Sequence, residues 1–475
     1  MRRPGAARLS MRFRILRRAS CGPRPAPGEG DRAGGTWLRP RPGPATMLAV
    51  RPTSCEGESA AVAVVGGGPA GLMAAIAAAE RGRRVVLVEQ LEGLGKKLLA
   101  SGGGRCNLTN TLPHDAFMAR FGRQGRFMQP ALAAMDSRGL RLFFDALGVP
   151  THAPDGVHVY PVSEKAFTVQ SALLRRMRQL GVAVRLGVRV TGLWIEAGRL
   201  CGVKAGGGHV AAPRVIVATG GRSHPELGAT GGGYGLARQA GHTLVEPTPA
   251  LVPLVTREAW PRRCAGVAVS PVRVWINLAR QSRVGITGDV LFTHRGVSGP
   301  AVLDLSGDVA ALLAKHKEVP LRIDLAPGTS AAQWAARFDR WQADSGAKTV
   351  RGLLDRWLPK SLAGAVSAAA GIDPASRPAA VPPTWRRALA EHLAALPLTV
   401  IGTEGWDHAM VTRGGVSLKE VDPRTLESRR LPGLFFAGEI LDLDGPCGGF
   451  NLQWAFSSGR LAGQSIADCQ LRIAD

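Results

Sequence analysis

The chain has 475 residues, 45% hydrophobic and 20% charged, too long for one compact core and too apolar for a disordered chain. Its net charge is +24, but residues 1–46 hold 11 Arg against Glu29 and Asp31, leaving +15 scattered over the rest without a run of like charge, a pattern that argues against a nucleic-acid partner. Apolar runs fall far short of the ~20 residues of a membrane span, and seven Cys with no C-x-x-C pair indicate neither a zinc site nor a dithiol motif and fit a reducing, cytoplasmic setting.

Residues 1–58 read as a disordered or non-native extension. Residues 1–46 are rich in Arg and Pro and lack periodicity, and no apolar core follows the basic stretch as in a secretory signal. Two readings stand: an organelle transit peptide, or a translation start at Met47, close to the first strand. The second is preferred.

The fold begins with Ala61-Val-Ala-Val-Val65, a β-branched run of strand length. It stops at Gly66-Gly-Gly-Pro69-Ala70-Gly71. Residues 72–80 are Ala-rich and predict a helix, and Val85-Val-Leu-Val-Glu89 predicts a second strand ending in an acid. Gly66 suits a tight turn, Gly68 a close approach of pyrophosphate to the backbone, and Gly71 close helix packing. The helix N-terminus would receive the phosphates, and Glu89 the ribose hydroxyls of the adenosine half. A 2′-phosphate would be repelled by Glu89, so NADP is not expected here. This motif does not separate FAD from NAD.

Residues 95–110 carry Ser101-Gly-Gly-Gly-Arg-Cys-Asn107, which has no periodicity; its glycines permit close backbone approach to a flat ring or a phosphate. Arg105 is a candidate to neutralise phosphate or reduced flavin, and Asn107 to bond the pyrimidine edge. Cys106, beside an Arg, is either a reactive thiol or a small buried filler, and the filler is preferred. Residues 164–180 read as an amphipathic helix. Residues 181–217 read as a β meander, with Val190 a candidate for backbone contact with adenine. A strand at Val215-Ile-Val217 then leads to Thr219 and Gly220.

From residue 251 to 329 the pattern is strand-like, best seen in Val272-Arg-Val-Trp-Ile-Asn-Leu278, and is assigned to an inserted β-rich domain. Residues 330–396 turn helical, with Trp334, Phe338 and Trp341 in period, and form a helical subdomain whose tryptophans are read as core. Residues 59–250 and 397–475 make one discontinuous cofactor domain. In its last part, Phe435-Phe-Ala-Gly438-Glu439 is a strand ending in Gly and an acid. After Gly448 and Gly449, residues from Phe450 onward read as a helix whose N-terminus would face the flavin edge that carries negative charge when reduced.

Residues 95–110, 214–221 and 433–456 together resemble the bacterial flavoproteins described as BaiN-type or aminoacetone-oxidase-like FAD-dependent oxidoreductases. The resemblance runs from about Ala60 to Ala467, with further matches at 158–163, 249–253 and 291–300. It implies an α/β fold: a Rossmann-like FAD domain of the glutathione-reductase kind, an inserted β-rich domain and a small helical one. The sequence departs from the family pattern at Ala229 and Gly232, where Ser and Asp are usual, and at Phe450, where Tyr is usual.

Beyond Gly66, Gly68, Pro69, Ala70, Gly71, Glu89 and Val190, the residues assigned to FAD are Lys97, Ser101, Gly102, Gly104, Arg105, Cys106, Asn107, Thr219, Gly220, Gly438, Glu439, Gly449, Asn451 and Leu452. The expected reaction is hydride transfer between flavin N5 and a small organic substrate, in a cleft between the FAD and β-rich domains. No second complete βαβ glycine fingerprint occurs, so NAD(P)H is expected, if used, as a transient donor. Candidate catalytic residues are Arg105, Cys106, His294 and Cys447, with Arg295 beside His294 in the cleft. A Cys106–Cys447 pair is kept as a disulfide alternative. The competing class is a flavin-dependent nucleic-acid-modifying or flavin-bearing binding protein. The oligomeric state is left open.

Overall fold

The computed structural model describes residues 60–344 and 349–468; the expected extension, residues 1–58, lies outside the described residues, as does the side chain of Trp341. Five parallel strands form a central sheet in the order Leu434–Phe436, Val215–Val217, Val62–Val65, Val85–Val88, Ala183–Arg185. The first four of these are buried at every residue. A strand covered on both faces has no solvent side, so these runs show no polar alternation. Register places Val65 beside Val88 and Val217, and Val217 beside Phe436. The chain therefore leaves the sheet on one level at Gly66, Glu89, Ala218 and Ala437, the carboxyl edge where open α/β sheets take ligands.

The helix Pro69–Glu80 packs against the C-terminal helix Phe450–Asp468. Glycine sets their separation. A Cβ on Gly459 would lie 2.3 Å from the Ala70 carbonyl oxygen, and one on Gly463 would lie 2.5 Å from that of Ala74. The helices meet backbone to side-chain-free backbone. At the far end of the first helix, Glu80 accepts from Arg176 at 2.9 Å and from Arg460 at 2.5 Å. Those two partners lie on the helix Ala166–Gln179 and on the C-terminal helix. The meander after Gly181 is a three-stranded antiparallel sheet of Val190–Glu196, Arg199–Ala205 and Gly208–Ala211.

A ribbon of Leu244–Ala250 with Val411–Val416 carries the chain out to the β-rich region and back. That region is a closed barrel of six strands in the order Leu254–Thr256, Gly296–Ser298, Ile286–Phe292, Ala268–Ile276, Val319–Asp324, Leu396–Thr403. The last strand falls beyond residue 396, where the sequence reading returned the chain to the cofactor domain. It pairs with both Val319–Asp324 and Leu254–Thr256, and it buries Leu396, Leu398 and Val400. The barrel thus extends to Thr403. Nor is the helical region a separate unit: Trp334, Phe338, Leu362 and Leu393 share one apolar core with the barrel's Val274, Phe292 and Leu321. Among the described residues no helix is long and apolar enough to cross a membrane.

Candidate active site

Three of the four glycines of the first turn play different parts. Gly66 has φ +102°, and a Cβ there would lie 2.6 Å from the Ala218 carbonyl oxygen. A Cβ on Gly71 would lie 1.9 Å from the Gly66 carbonyl oxygen. Gly68 instead faces open space, with no atom within 4 Å of its Cβ position. Gly68 also caps the helix, and Pro69 opens it, so no capping side chain competes for the free N–H groups of the first turn. The Gly67 N–H donates to Glu89 Oε2 at 2.6 Å and the Leu91 N–H to Oε1 at 2.9 Å, which fixes the carboxylate beside the turn.

A cavity of about 530 Å³ opens along this edge of the sheet. Its wall brings together Gly66, Gly68, Pro69, Ala70 and Glu89 with Lys97, Ser101, Gly102, Asn107, Thr219 and Gly220. From the C-terminal part come Glu439, Cys447, Gly449, Asn451 and Leu452. Lys97 Nζ donates to Ser223 Oγ at 2.5 Å and to Glu439 Oε2 at 2.8 Å. Glu439 Oε1 accepts from the Ser223 hydroxyl at 2.9 Å and from the Thr412 N–H at 2.8 Å. Thr219 lines this wall, but its Oγ1 is buried without a hydrogen-bond partner and faces Gly233, whose Cβ position lies 2.0 Å from it.

Three asparagines hold the loop before the C-terminal helix. Asn451 Oδ1 accepts from the Gly445 N–H at 2.9 Å, and its amide nitrogen donates to the Gly445 carbonyl at 2.8 Å. Asn110 donates to the Gly448 carbonyl at 3.0 Å. Asn107, oriented so that both amide atoms are satisfied, donates to the Thr109 carbonyl at 3.0 Å and accepts from the Gly449 N–H at 3.3 Å. Its amide organises the wall.

Six residues assigned to FAD and two assigned to the cleft stand off the wall. Gly102, Gly103 and Gly104 have φ of +58°, +66° and +85°, and Cys106 has +64°. This left-handed run turns the chain away after Gly103, so Gly104 leaves the wall. Arg105 points outward to Glu164 at 3.3 Å and lies over the Tyr160 ring at 4.6 Å. Cys106 is fully buried, and burial pushes its thiol up to about 12. It and Cys447 are both free thiols. Gly71 and Gly438 lie behind the wall, where Gly438 donates to Ser458 Oγ at 2.9 Å. Val190 starts a meander strand opposite Ala205; the Val188 N–H, not Val190, reaches the Glu89 carbonyl, at 3.0 Å. His294 and Arg295 sit exposed in the turn between two barrel strands, because that hairpin end points to solvent.

The sequence reading missed the apolar side of the cavity. Leu251, Met410 and Val411 line it where the ribbon meets the barrel. Leu251 holds φ +48° without being glycine, a strained conformation that its surroundings must enforce. Ala250, Leu251, Leu303 and Val411 form a separate buried cluster against which Cys447 packs. Asp304, on the helix Pro300–Leu313, accepts from the Cys447 N–H at 2.8 Å. Leu251 lies within the family-like residues 249–253; Met410, Val411 and Asp304 carry no local signal.

A parallel sheet, a glycine turn opening a bare helix N-terminus, and an acid closing the second strand define a Rossmann-like dinucleotide-binding fold. The model for the HI0933-like protein Rossmann domain matches residues 60–465. The chain belongs to this family, whose members are FAD-dependent oxidoreductases. It is 37% identical over 415 residues to the 3-dehydro-bile acid delta(4,6)-reductase of Clostridium scindens, spanning 86% of this chain and 99% of that protein. It is 30% identical over 408 residues to the ribosomal RNA dihydrouridine synthase of Haemophilus influenzae, spanning 85% of this chain and 98% of that protein. Among solved structures, a 3-ketosteroid-delta4-(5alpha)-dehydrogenase from Rhodococcus jostii RHA1 aligns with TM-score 0.48 and 19% identity, over 88% of this chain and 99% of that one.

Proposed function

We propose that this chain is a reductase of carbon–carbon double bonds conjugated to a carbonyl, acting on a small, largely apolar molecule. One observation carries the reading: a single cavity joins a dinucleotide cradle to an apolar wall of Leu251, Met410 and Val411 that bears a protic group, Cys447. The relatives' names support it. A delta(4,6)-reductase saturates carbon–carbon double bonds, and dihydrouridine is uridine with one ring double bond saturated.

In this reading Gly66, Gly68, Pro69 and Ala70 hold the pyrophosphate at the helix N-terminus, and Glu89 holds the adenosine ribose. Lys97, Ser101, Gly102, Asn107, Thr219, Gly220, Glu439, Gly449, Asn451 and Leu452 surround the remainder. FAD, when bound, supplies the hydride. The protein's own part is to orient the substrate on the apolar wall, exclude water there and deliver a proton. NADH or NADPH is proposed as the electron donor, docking only for the transfer.

A second reading, reduction of uracil in RNA, is favoured by the match along nearly all of the dihydrouridine synthase. One experiment separates the two. The purified protein is incubated anaerobically with NADH or NADPH and either a 3-oxo-4-ene of the 3-dehydro-bile acid class or a uridine-rich RNA, and products are weighed by mass spectrometry. A gain of two hydrogens on the small molecule supports the first reading. A gain on RNA alone supports the second, and no gain on either contradicts both.

A further inference from the structure

We propose that Cys447 is the proton donor of this site and that Asp304, reaching across from the barrel, positions and reloads it; the inference rests on the double-bond reading above. Cys447 belongs to the loop of the cofactor domain that ends the cavity wall, and Asp304 to the barrel helix Pro300–Leu313. Asp304 Oδ1 accepts from the Cys447 N–H at 2.8 Å, and the carboxyl also hydrogen-bonds the thiol. The sulfur is thereby held between a buried carboxyl and the cavity.

Elimination along the wall leads to the same atom. Lys97 is engaged with Ser223 and Glu439. Ser101 donates to the Leu98 carbonyl at 2.7 Å, and His224 is paired with Glu226 at 2.9 Å. Lys96 is exposed. Thr219 Oγ1 is free, but an aliphatic hydroxyl is a far weaker acid than a thiol. Cys447 alone among these packs with the apolar cluster of Ala250, Leu251, Leu303 and Val411, where a hydrocarbon substrate would lie.

The electrostatics keep the thiol protonated. Burial, then the Asp304 charge, pushes the Cys447 thiol well above its usual range. Burial raises the Asp304 carboxyl too, opposed by its bonds to Cys447 and by the Arg120 guanidinium. One helical turn beyond Asp304, Asp308 is committed to Arg413, which also holds Asp444.

Saturating one double bond takes a hydride, which oxidises the reduced flavin, and a proton. As the C–H bond forms on the carbon next to the carbonyl, the Cys447 S–H bond breaks and its electron pair stays on sulfur. A proton from water, relayed by the Asp304 carboxylate, then restores the S–H bond. The two residues titrate as a coupled pair, so the rate of this step falls as pH rises through the titration of the pair.

The test uses FAD-loaded protein and the variants Cys447→Ala, Cys447→Ser and Asp304→Asn. The first readout is the pH profile of Cys447 alkylation by iodoacetamide, read on the Cys447 peptide by mass spectrometry. Asp304→Asn removes the charge that opposes the thiolate, so alkylation is expected to begin at lower pH. The second readout is the ratio of enone-driven flavin reoxidation to NAD(P)H-driven reduction. It is expected to fall about 100-fold or more in Cys447→Ala and less in Cys447→Ser. An unchanged alkylation profile in Asp304→Asn, or an unchanged ratio in Cys447→Ala, would overturn the proposal. If the parent protein reacts with no enone, the double-bond reading falls, and the alkylation profile alone then decides whether the pair exists.

Discussion

Gly68 and Gly71 are three residues apart, and a Cβ would act on them in opposite ways. At Gly68 it enters open space; at Gly71 it lies 1.9 Å from a backbone oxygen that has nowhere to go. Gly68→Val is therefore expected to fold, unfolding within a few degrees of the cofactor-free parent, yet to purify colourless. Gly71→Val is expected to lose about 3 kcal/mol or more of stability in a denaturant titration. Glu89→Ala removes the acceptor of two backbone N–H bonds at the turn, and FAD binding should weaken by about 10- to 100-fold, measured by fluorescence titration. This turn was legible in the sequence because its sterics are local. The outward course of Arg105 was not. It depends on the sign of φ at Gly102, Gly103 and Gly104 and on Glu164, 59 positions away.

Composition announced the C-terminal helix but not its partner. Gly459 and Gly463 look like weak points in a helix until the carbonyls of Ala70 and Ala74 are placed against them. Gly463→Val is expected to cost about 1–3 kcal/mol and to loosen FAD as well, because the displaced helix is the one that begins at the cofactor turn. The same helix pair carries a pH dependence. Burial raises the Glu80 carboxyl, but the bonds and charges of Arg176 and Arg460 outweigh it and hold the group below its ordinary 4.5. A carboxylate held low stabilises the fold above its unfolded-state pKa and loses that contribution as pH falls through its lowered folded value. The parent's Tm should drop on acidification below about pH 4.5, and Glu80→Gln should flatten that part of the curve.

At the scale of the molecule, the barrel is placed against the cofactor domain by few polar contacts. Arg413, on the ribbon, reaches Asp308 of the barrel helix at 2.6 Å and Asp444 of the cofactor loop at 3.2 Å. Asp444 is nearly buried, so Arg413→Leu strands a carboxylate. The expected loss is about 3 kcal/mol, the low end for a broken buried pair because the guanidinium is one-third exposed. A denaturant titration of the FAD-loaded variant checks it. The barrel's extent was hidden in the sequence, since Leu396–Thr403 pairs with strands more than 70 and 140 residues earlier. The apolar wall was hidden for the same reason, because Leu251 and Met410 meet only after the barrel returns the chain along the ribbon.

The claim that joins these scales is that one cavity passes electrons from a bound flavin to a conjugated double bond. It is tested most directly by mixing the anaerobically reduced protein with a 3-oxo-4-ene in a stopped-flow instrument and following the visible flavin band. The band should return at a rate that rises with enone concentration, with one saturated ketone formed per flavin. A flavin that stays reduced with every enone, and is reoxidised only when oxygen is admitted, would contradict it.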